Sequence, residues 1–205
     1  MAAATGRWTM LEGTERAPGL IGPNAVLQLL PVLDRLGGPE RRASTLAAAG
    51  IFEVPDGSRM IPERDAARLH HQLRREEPEL APALTAHAGV ETAQYILRHR
   101  IPPAAQTLLK ALPKRLAARL LSRAIAGHAW TFVGSGQLQV VDAWTFEIVD
   151  NPLIRGEVSD ACLCNWHASV FAQLYRTLVA PDATCTETRC GAQPGGDCCR
   201  FELSA

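Results

Sequence analysis

The sequence predicts an α+β fold: a single domain in which N-terminal helices pack with a twisted antiparallel sheet. Apolar residues recur at helical spacing from Pro23 to Ala126, and the period then shortens to two. The change falls at Gly127 and the Gly134-Ser135-Gly136 turn. A chain of 205 residues, 47% hydrophobic and 20% charged, suits one full core at roughly 100 to 200 residues per domain.

Residues 1–22 mix Gly, Pro and Thr with little periodicity and read as a flexible arm. Residues 23–127 form the helical part. Asn24 can cap a helix whose Val26, Leu27, Leu29, Leu30 and Leu33 share a face until Gly37-Gly38. A second helix spans Pro39 to Ala49, and a third starts at Pro62, carries Ala66, Leu69 and Leu73, and ends at Pro78. Pro82 to His99 is helical in pattern, and Pro102-Pro103 break the chain. Lys114 to Ala126 is the clearest amphipathic helix, with Leu116, Leu120, Leu121, Ala124 and Ile125 on one side and Lys114, Arg115, Arg119 and Arg123 on the other.

Residues 128–205 read as the α+β part with a metal site. Trp130 and Phe132, then Leu138 and Val140, alternate around the Gly134-Ser135-Gly136 turn, and Trp144, Phe146 and Ile148 follow. Ser159 or Asp160 caps a helix from Ala161 to about Val179, ended by Pro181-Asp182. Strands over 184–190 and 198–203 flank a turn-rich loop. The order is strand, strand, helix, strand, strand, which places helices on one face of an antiparallel sheet.

The formal net charge of zero hides an asymmetry. Between Thr92 and Val141 there is no acidic residue, while Arg98, Arg100, Lys110, Lys114, Arg115, Arg119 and Arg123 are basic. A local basic segment suits an anionic partner such as a carboxylate ligand, an acidic lipid surface or an acidic protein, or simply balances the acidic C-terminal part of the fold. Nucleic-acid binding fits poorly with a pI near 7. No run approaches about 18 apolar residues, so no transmembrane helix is expected. The N-terminus lacks the apolar core of a signal peptide, which points to the cytoplasm and to reduced thiols.

All six cysteines, Cys162, Cys164, Cys185, Cys190, Cys198 and Cys199, lie in the last 44 residues. Cys190 and Cys198 flank a Gly-rich loop whose return brings two sulfurs together. A tetrahedral cation needs two further ligands, with Cys164, His167, Glu187, Cys185 and Cys199 as candidates. The spacing leaves metal binding, buried packing thiols and redox chemistry open, and it matches neither ferredoxin run. Cys162 and Cys164 point to different sides of the helix expected from Ala161, and Cys198 and Cys199 to opposite faces of the expected strand, so one of each pair belongs in the core.

The stretch from about Phe146 to Leu203 resembles the 4-vinyl reductase domain, through Asn151-Pro152, Cys164-Asn165-Trp166-His167, Glu187-Thr188-Arg189-Cys190 and Gly195-Gly196-Asp197-Cys198-Cys199-Arg200-Phe201. The helical half resembles the bacteriochlorophyll 4-vinyl reductase family in general organisation. The resemblance implies a fold shared with ligand-binding sensor domains and Golgi transport subunits, often dimeric, with an apolar ligand cavity. In related phenol-sensing domains three cysteines and a glutamate hold a zinc ion, and their order fits Cys164, Glu187, Cys190 and Cys198 here. Cys162, Cys185 and Cys199 are then packing residues. Four protein ligands leave no open position, so the zinc would be structural.

The family name implies reduction of a vinyl group on a chlorophyll precursor, chemistry that needs a nicotinamide, flavin or iron–sulfur centre. No GxGxxG follows a strand, and Gly134-Ser135-Gly136 lacks the third glycine and the helix that phosphates require. The reading adopted is therefore a tetrapyrrole-binding accessory or carrier protein of bacteriochlorophyll synthesis, cytoplasmic or peripheral to the photosynthetic membrane. It would bind a magnesium-porphyrin or chlorophyllide intermediate and work beside another enzyme of the pathway. The alternative is a vinyl reductase with an external electron donor, and a third reading is a regulatory or assembly module. For the pigment, Trp130, Phe132, Trp144 and Phe146 are candidate walls and Arg115, Arg119 and Arg123 a basic rim. His128, His99 and His167 are candidate axial ligands, each with the ordinary alternative of a histidine simply hydrogen-bonded in place.

Overall fold

The computed structural model describes residues 19–205, so the expected arm lies outside the described residues up to position 18. Its last residues are built into the fold. Strand β1 (Leu20–Ile21) carries the fully buried Ile21, and a short helix α1 (Asn24–Leu27) follows. Helix α2 (Leu30–Ala48) breaks where the sequence indicates: Gly38 takes a φ of 73°, a conformation that glycine reaches without a Cβ penalty, and Pro39 restarts the helix. Strand β2 (Ile61–Pro62) pairs antiparallel with β1.

Helix α3 (Glu63–Glu76) has Glu63 and Asp65 in its first turn and Arg74 and Arg75 in its last, matching the helix dipole at both ends. Helix α4 (Ala81–His99) buries a row of small residues, Ala81, Thr85, Ala88, Gly89, Thr92 and Ala93. The chain breaks at Pro102-Pro103 as the sequence indicates, α4 ending at His99. Pro103 occupies a first-turn position, where its missing N–H costs nothing, and starts helix α5 (Pro103–Ala111). Helix α6 (Lys114–Gly127) follows after Leu112-Pro113.

The expected strand at Trp130 and Phe132 is instead the short helix α7 (Trp130–Val133), whose backbone N–H groups turn back to the carbonyls of His128 and Ala129. Two aromatic residues separated by one position are too short a sample to distinguish a strand from a helical turn. Strands β3 (Gln137–Asp142) and β4 (Thr145–Val149) form the first hairpin. A 3₁₀ turn over Pro152–Ile154 follows, then helix α8 (Asn165–Leu178) and strands β5 (Thr184–Arg189) and β6 (Cys198–Ser204). The four-stranded sheet is antiparallel in the order β3-β4-β6-β5.

Helix α8 is the centre of the molecule. One side lies on the sheet, where Phe171 stacks on Phe146 at 4.8 Å and meets Phe201 edge-on at 5.3 Å. Its other side packs on α4, so closely that a Cβ on Gly89 would run into the Trp166 carbonyl oxygen. Trp166 Nε1–H donates to Thr92 Oγ1 across that contact at 3.2 Å. The opposite face of the sheet carries a charge ladder: Glu147 accepts from Arg200 at 2.7 Å and from Arg189 at 3.3 Å.

A buried carboxylate ties the two halves of the chain together. Glu63, at the start of α3, accepts from Ser135 N–H at 2.6 Å, from Ser135 Oγ at 2.7 Å and from Arg155 Nη1 at 3.0 Å. Burial alone would raise this carboxyl, but the hydrogen bonds from Ser135 and Arg155 outweigh it and hold the pKa below the ordinary value. The Gly134-Ser135-Gly136 turn thus cradles an anion of its own chain.

Candidate metal centre

The pleat of the sheet decides which side chains can meet. On β6, Cys199 lies opposite Ile148 and Phe201 opposite Phe146, with Cys199, Phe201 and Ile148 all at 0% exposure on the inner face. On β5, Glu187 lies opposite Phe201 and shares that face. Cys190 follows the end of β5, and Cys164 is the residue from which α8 starts. Their ligand atoms, three Sγ and one carboxylate oxygen, all lie within 4.8 Å of one another.

The local backbone secures this convergence. Cys164 N–H donates to Glu187 Oε2 at 2.7 Å, joining the start of α8 to β5. Gln193 accepts from Cys190 N–H at 2.9 Å and donates to the Asp160 carbonyl at 3.1 Å, closing the loop after β5. Gly196 passes against the Cys190 carbonyl, where a side chain would not fit. Asn151 reaches in from the 3₁₀ turn. Its Nδ2 approaches Cys164 Sγ at 3.3 Å and Cys199 Sγ at 3.7 Å, while its Oδ1 accepts from Leu153 N–H at 3.1 Å.

Burial pushes the Cys164 thiol well above its ordinary range. Hydrogen bonds from Cys164 and Cys199 draw Cys190 far down, so negative charge concentrates on its sulfur. At Cys199 the Cys164 hydrogen bond lowers the pKa, but the bond to Cys190 and burial prevail and raise it. Burial, with the Cys190 charge beside it, raises Glu187 to about 8. Glu187 Oε1 is buried without a hydrogen-bond partner, and Cys164 and Cys199 sulfurs stand 3.2 Å apart. A cation would relieve both conditions.

The donor set fits a tetrahedral divalent ion, for which Zn–S bonds of about 2.3 Å put sulfurs about 3.8 Å apart. Thiolates favour zinc over harder cations. With four protein donors such an ion would be closed to substrate. The Asn151 amide and the Cys164 N–H meet the donor atoms and would spread the negative charge of the sulfurs and the carboxylate.

Three of the four residues expected as ligands, Cys164, Glu187 and Cys190, therefore meet, and the fourth partner is Cys199 instead of Cys198. Strand alternation turns Cys198 away from the cluster: it pairs with Val149, and its sulfur accepts from Arg189 Nη2 at 2.9 Å. The signal was present in the sequence, because Cys199, Phe201 and Leu203 form one period-two row. Asn151 had no spacing signal that assigned it a role at the sulfurs.

The expected pigment residues are divided between the core and the surface. Phe132, Phe146 and His167 are core residues packed on or around α8. His167 Nε2–H donates to the Phe132 carbonyl at 3.0 Å, and its Nδ1 is buried without a partner. Trp144 is half-buried against Tyr175 at 5.4 Å. Arg115, Arg119, Arg123, His128 and Trp130 are exposed, on and just beyond α6. Two surface grooves, of about 520 Å³ around Val54 and Met60 and about 310 Å³ over Asn151 and Cys199, are lined by none of these nine residues.

The fold and the cysteine-rich centre define a module of the 4-vinyl reductase type. The family model of this domain, the V-4-R domain, matches residues 144–205, the segment that contains β4, α8, β5, β6 and all four converging side chains. Over 185 residues, 89% of each chain, the sequence is 50% identical to the bacteriochlorophyll synthase 23 kDa chain of Cereibacter sphaeroides. It is 44% identical to the protein of the same name from Rhodobacter capsulatus over 180 residues, 87% of this chain and 84% of that one. The chain belongs to this family of proteins with a 4-vinyl reductase domain. Among solved structures, an H-NOX protein from K. algicida superposes with a TM-score of 0.53 at 8% identity, covering 90% of this chain and 96% of that one. An H-NOX protein from T. tengcongensis gives 0.53 at 10%, covering 89% and 96%. These likenesses show a shared α+β fold.

Proposed function

We propose that this chain is a tetrapyrrole-binding accessory protein of bacteriochlorophyll synthesis, peripheral to the photosynthetic membrane, whose C-terminal part is held together by a structural zinc ion. Identity of 50% across 89% of a named bacteriochlorophyll synthase chain carries the pathway, and an enzyme of that pathway is the expected partner. The shared fold adds support, since one of its H-NOX neighbours, with a TM-score of 0.52, was solved to probe heme distortion.

Among the candidate axial ligands, His128 has the geometry of a metal-binding imidazole. Its Nδ1 lies 2.9 Å from the Ala124 carbonyl; a carbonyl has no proton to give, so Nδ1 carries it. That leaves the Nε2 lone pair on an exposed side chain, with the second-nitrogen hydrogen bond typical of ligating histidines. Trp130, 56% exposed, offers an aromatic face nearby in sequence. Arg123 on the last turns of α6 can meet a propionate. His167 is unsuited, since its ring is sealed in the core. The pigment is thus taken up at the outer end of α6 and not inside the sheet–helix core.

An absorption titration of lipid-free protein with a divinyl magnesium-porphyrin tests this reading. Saturable binding with a shifted Soret band, weakened about tenfold or more in His128→Ala, is expected. No binding, or binding unaffected by His128→Ala and Trp130→Ala together, overturns the assigned site. Conversion of the vinyl group to ethyl with reduced nicotinamide present would favour the reductase reading.

A further inference from the structure

Helix α6 is apolar over a wider arc than it buries. Its inner face is Ala117, Ala118, Leu121, Ser122 and Ile125. Leu116 and Leu120 were expected on that face, but they are 45% and 38% exposed, and Leu108 on the neighbouring α5 is 57% exposed. Helix α5 buries no residue fully. At about 100° per residue, Leu116 and Leu120 form one row along the outside of α6 and Arg115, Arg119 and Arg123 a second row beside it. Among the described residues, none of those three arginines makes an ion pair, and Lys114 makes only a contact of 3.7 Å with the exposed Asp182. No acidic residue occurs anywhere from Thr92 to Val141.

We infer that the exposed face of α5 and α6, with Leu108, Leu116 and Leu120 and, beside the α6 leucines, the cations Arg115, Arg119 and Arg123, docks on an anionic phospholipid surface. Parallel aliphatic and basic rows suit a bilayer interface. The leucines enter between headgroups, and the long basic side chains reach sideways to phosphates. A protein partner would need pockets or grooves for its anchoring side chains, and neither groove described above is lined by α5 or α6. No helix among the described residues is long and apolar enough to cross a membrane, so contact through this face would be peripheral. This gives the membrane location of the proposed function a surface, and it stands without the pigment.

Flotation with pigment-free vesicles tests it. The chain is expected to float with vesicles of phosphatidylglycerol and phosphatidylcholine, at least tenfold more weakly with phosphatidylcholine alone, and to be released by high salt. Arg115→Glu with Arg119→Glu, and separately Leu116→Ser with Leu120→Ser, are each expected to lower partition at least tenfold with an unchanged thermal midpoint. Leu108→Ser provides an independent variant on the other helix. Failure to float with anionic vesicles, or variants that float like the parent chain, would overturn the inference. So would a Leu116→Ser/Leu120→Ser variant that splits a dimer while keeping its vesicle binding, since the face would then be a contact between copies. Vesicle binding without pigment and pigment binding without lipid fail separately.

Discussion

The backbone N–H of Cys164 donates to the Glu187 carboxylate at 2.7 Å, so the residue that starts α8 and the middle of β5 are fixed to one another before any cation is considered. The other carboxylate oxygen is left buried and unpartnered. Glu187→Gln keeps the shape and one acceptor but removes the charge. It is expected to lower metal affinity about 10-fold or more, read by competition with a chromophoric chelator, while the metal-free chain keeps its helix content.

Asn151 is expected to matter through the two sulfurs it faces. Asn151→Ala removes the amide directed at Cys164 and Cys199 and also the acceptor for Leu153 N–H. A loss of roughly 1–3 kcal/mol in denaturant unfolding, together with faster metal transfer to a chelator, is expected. An unchanged transfer rate would reduce Asn151 to a turn residue.

Glu63 joins α3 to the turn at Ser135 and to Arg155. Glu63→Ala leaves the Ser135 N–H and the Arg155 guanidinium without this acceptor and is expected to cost roughly 2–4 kcal/mol, measured by urea unfolding. Ser135→Ala removes one of the hydrogen bonds and should cost about 1 kcal/mol.

Two buried histidines set an acid limit. Burial, with Arg74, His167 and His71 nearby, brings His70 down to about 3, and its bond to the Ala25 carbonyl only partly offsets this. Burial brings His167 down to about 4 against the opposing bond to Phe132. Both pKa values fall below the ordinary 6.5, so the unfolded chain binds protons first and acid favours unfolding. Their contribution is complete above about pH 6.5 and is lost as pH falls toward 4 to 3, by up to roughly 1.4 kcal/mol per pH unit for each histidine. Thermal midpoints from pH 7.5 to 4.5 should decline, and His70→Gln should flatten the decline.

Gly89 marks the closest approach of α4 and α8. Gly89→Ala places a methyl against the Trp166 carbonyl and the Ser169 side chain, and a loss of roughly 1–3 kcal/mol is expected in spite of the better helix propensity of alanine. A gain in thermal midpoint would mean that the two helices separate freely.

Periodicity made the order of elements legible in the sequence, including the break at Gly37-Gly38 and the switch from helices to sheet, because each depends on many residues at once. It failed where the signal was one or two residues long. Trp130 and Phe132 imitate strand alternation inside a single helical turn. The convergence of Cys164, Glu187 and Cys190 followed from resemblance and residue type, whereas the choice between Cys198 and Cys199 depends on strand phase. Phe201 and Leu203 fix that phase. Leu116 and Leu120 show a different limit: a helical stripe says which residues are apolar, and only the packed structure says which of them remain outside. Phe132, Phe146 and His167 are likewise aromatic by composition but committed to the core by tertiary packing.

The metal centre is tested most directly by metal content, from elemental analysis, with thermal unfolding of the parent chain, Cys199→Ser and Cys198→Ser prepared side by side. A structural ion at Cys164, Glu187, Cys190 and Cys199 predicts one zinc per chain in the parent and in Cys198→Ser. It also predicts loss of the zinc in Cys199→Ser, with a fall in stability on the order of several kcal/mol that a chelator reproduces in the parent. Full metal content and an unchanged midpoint in Cys199→Ser, or loss of the ion in Cys198→Ser alone, would contradict it.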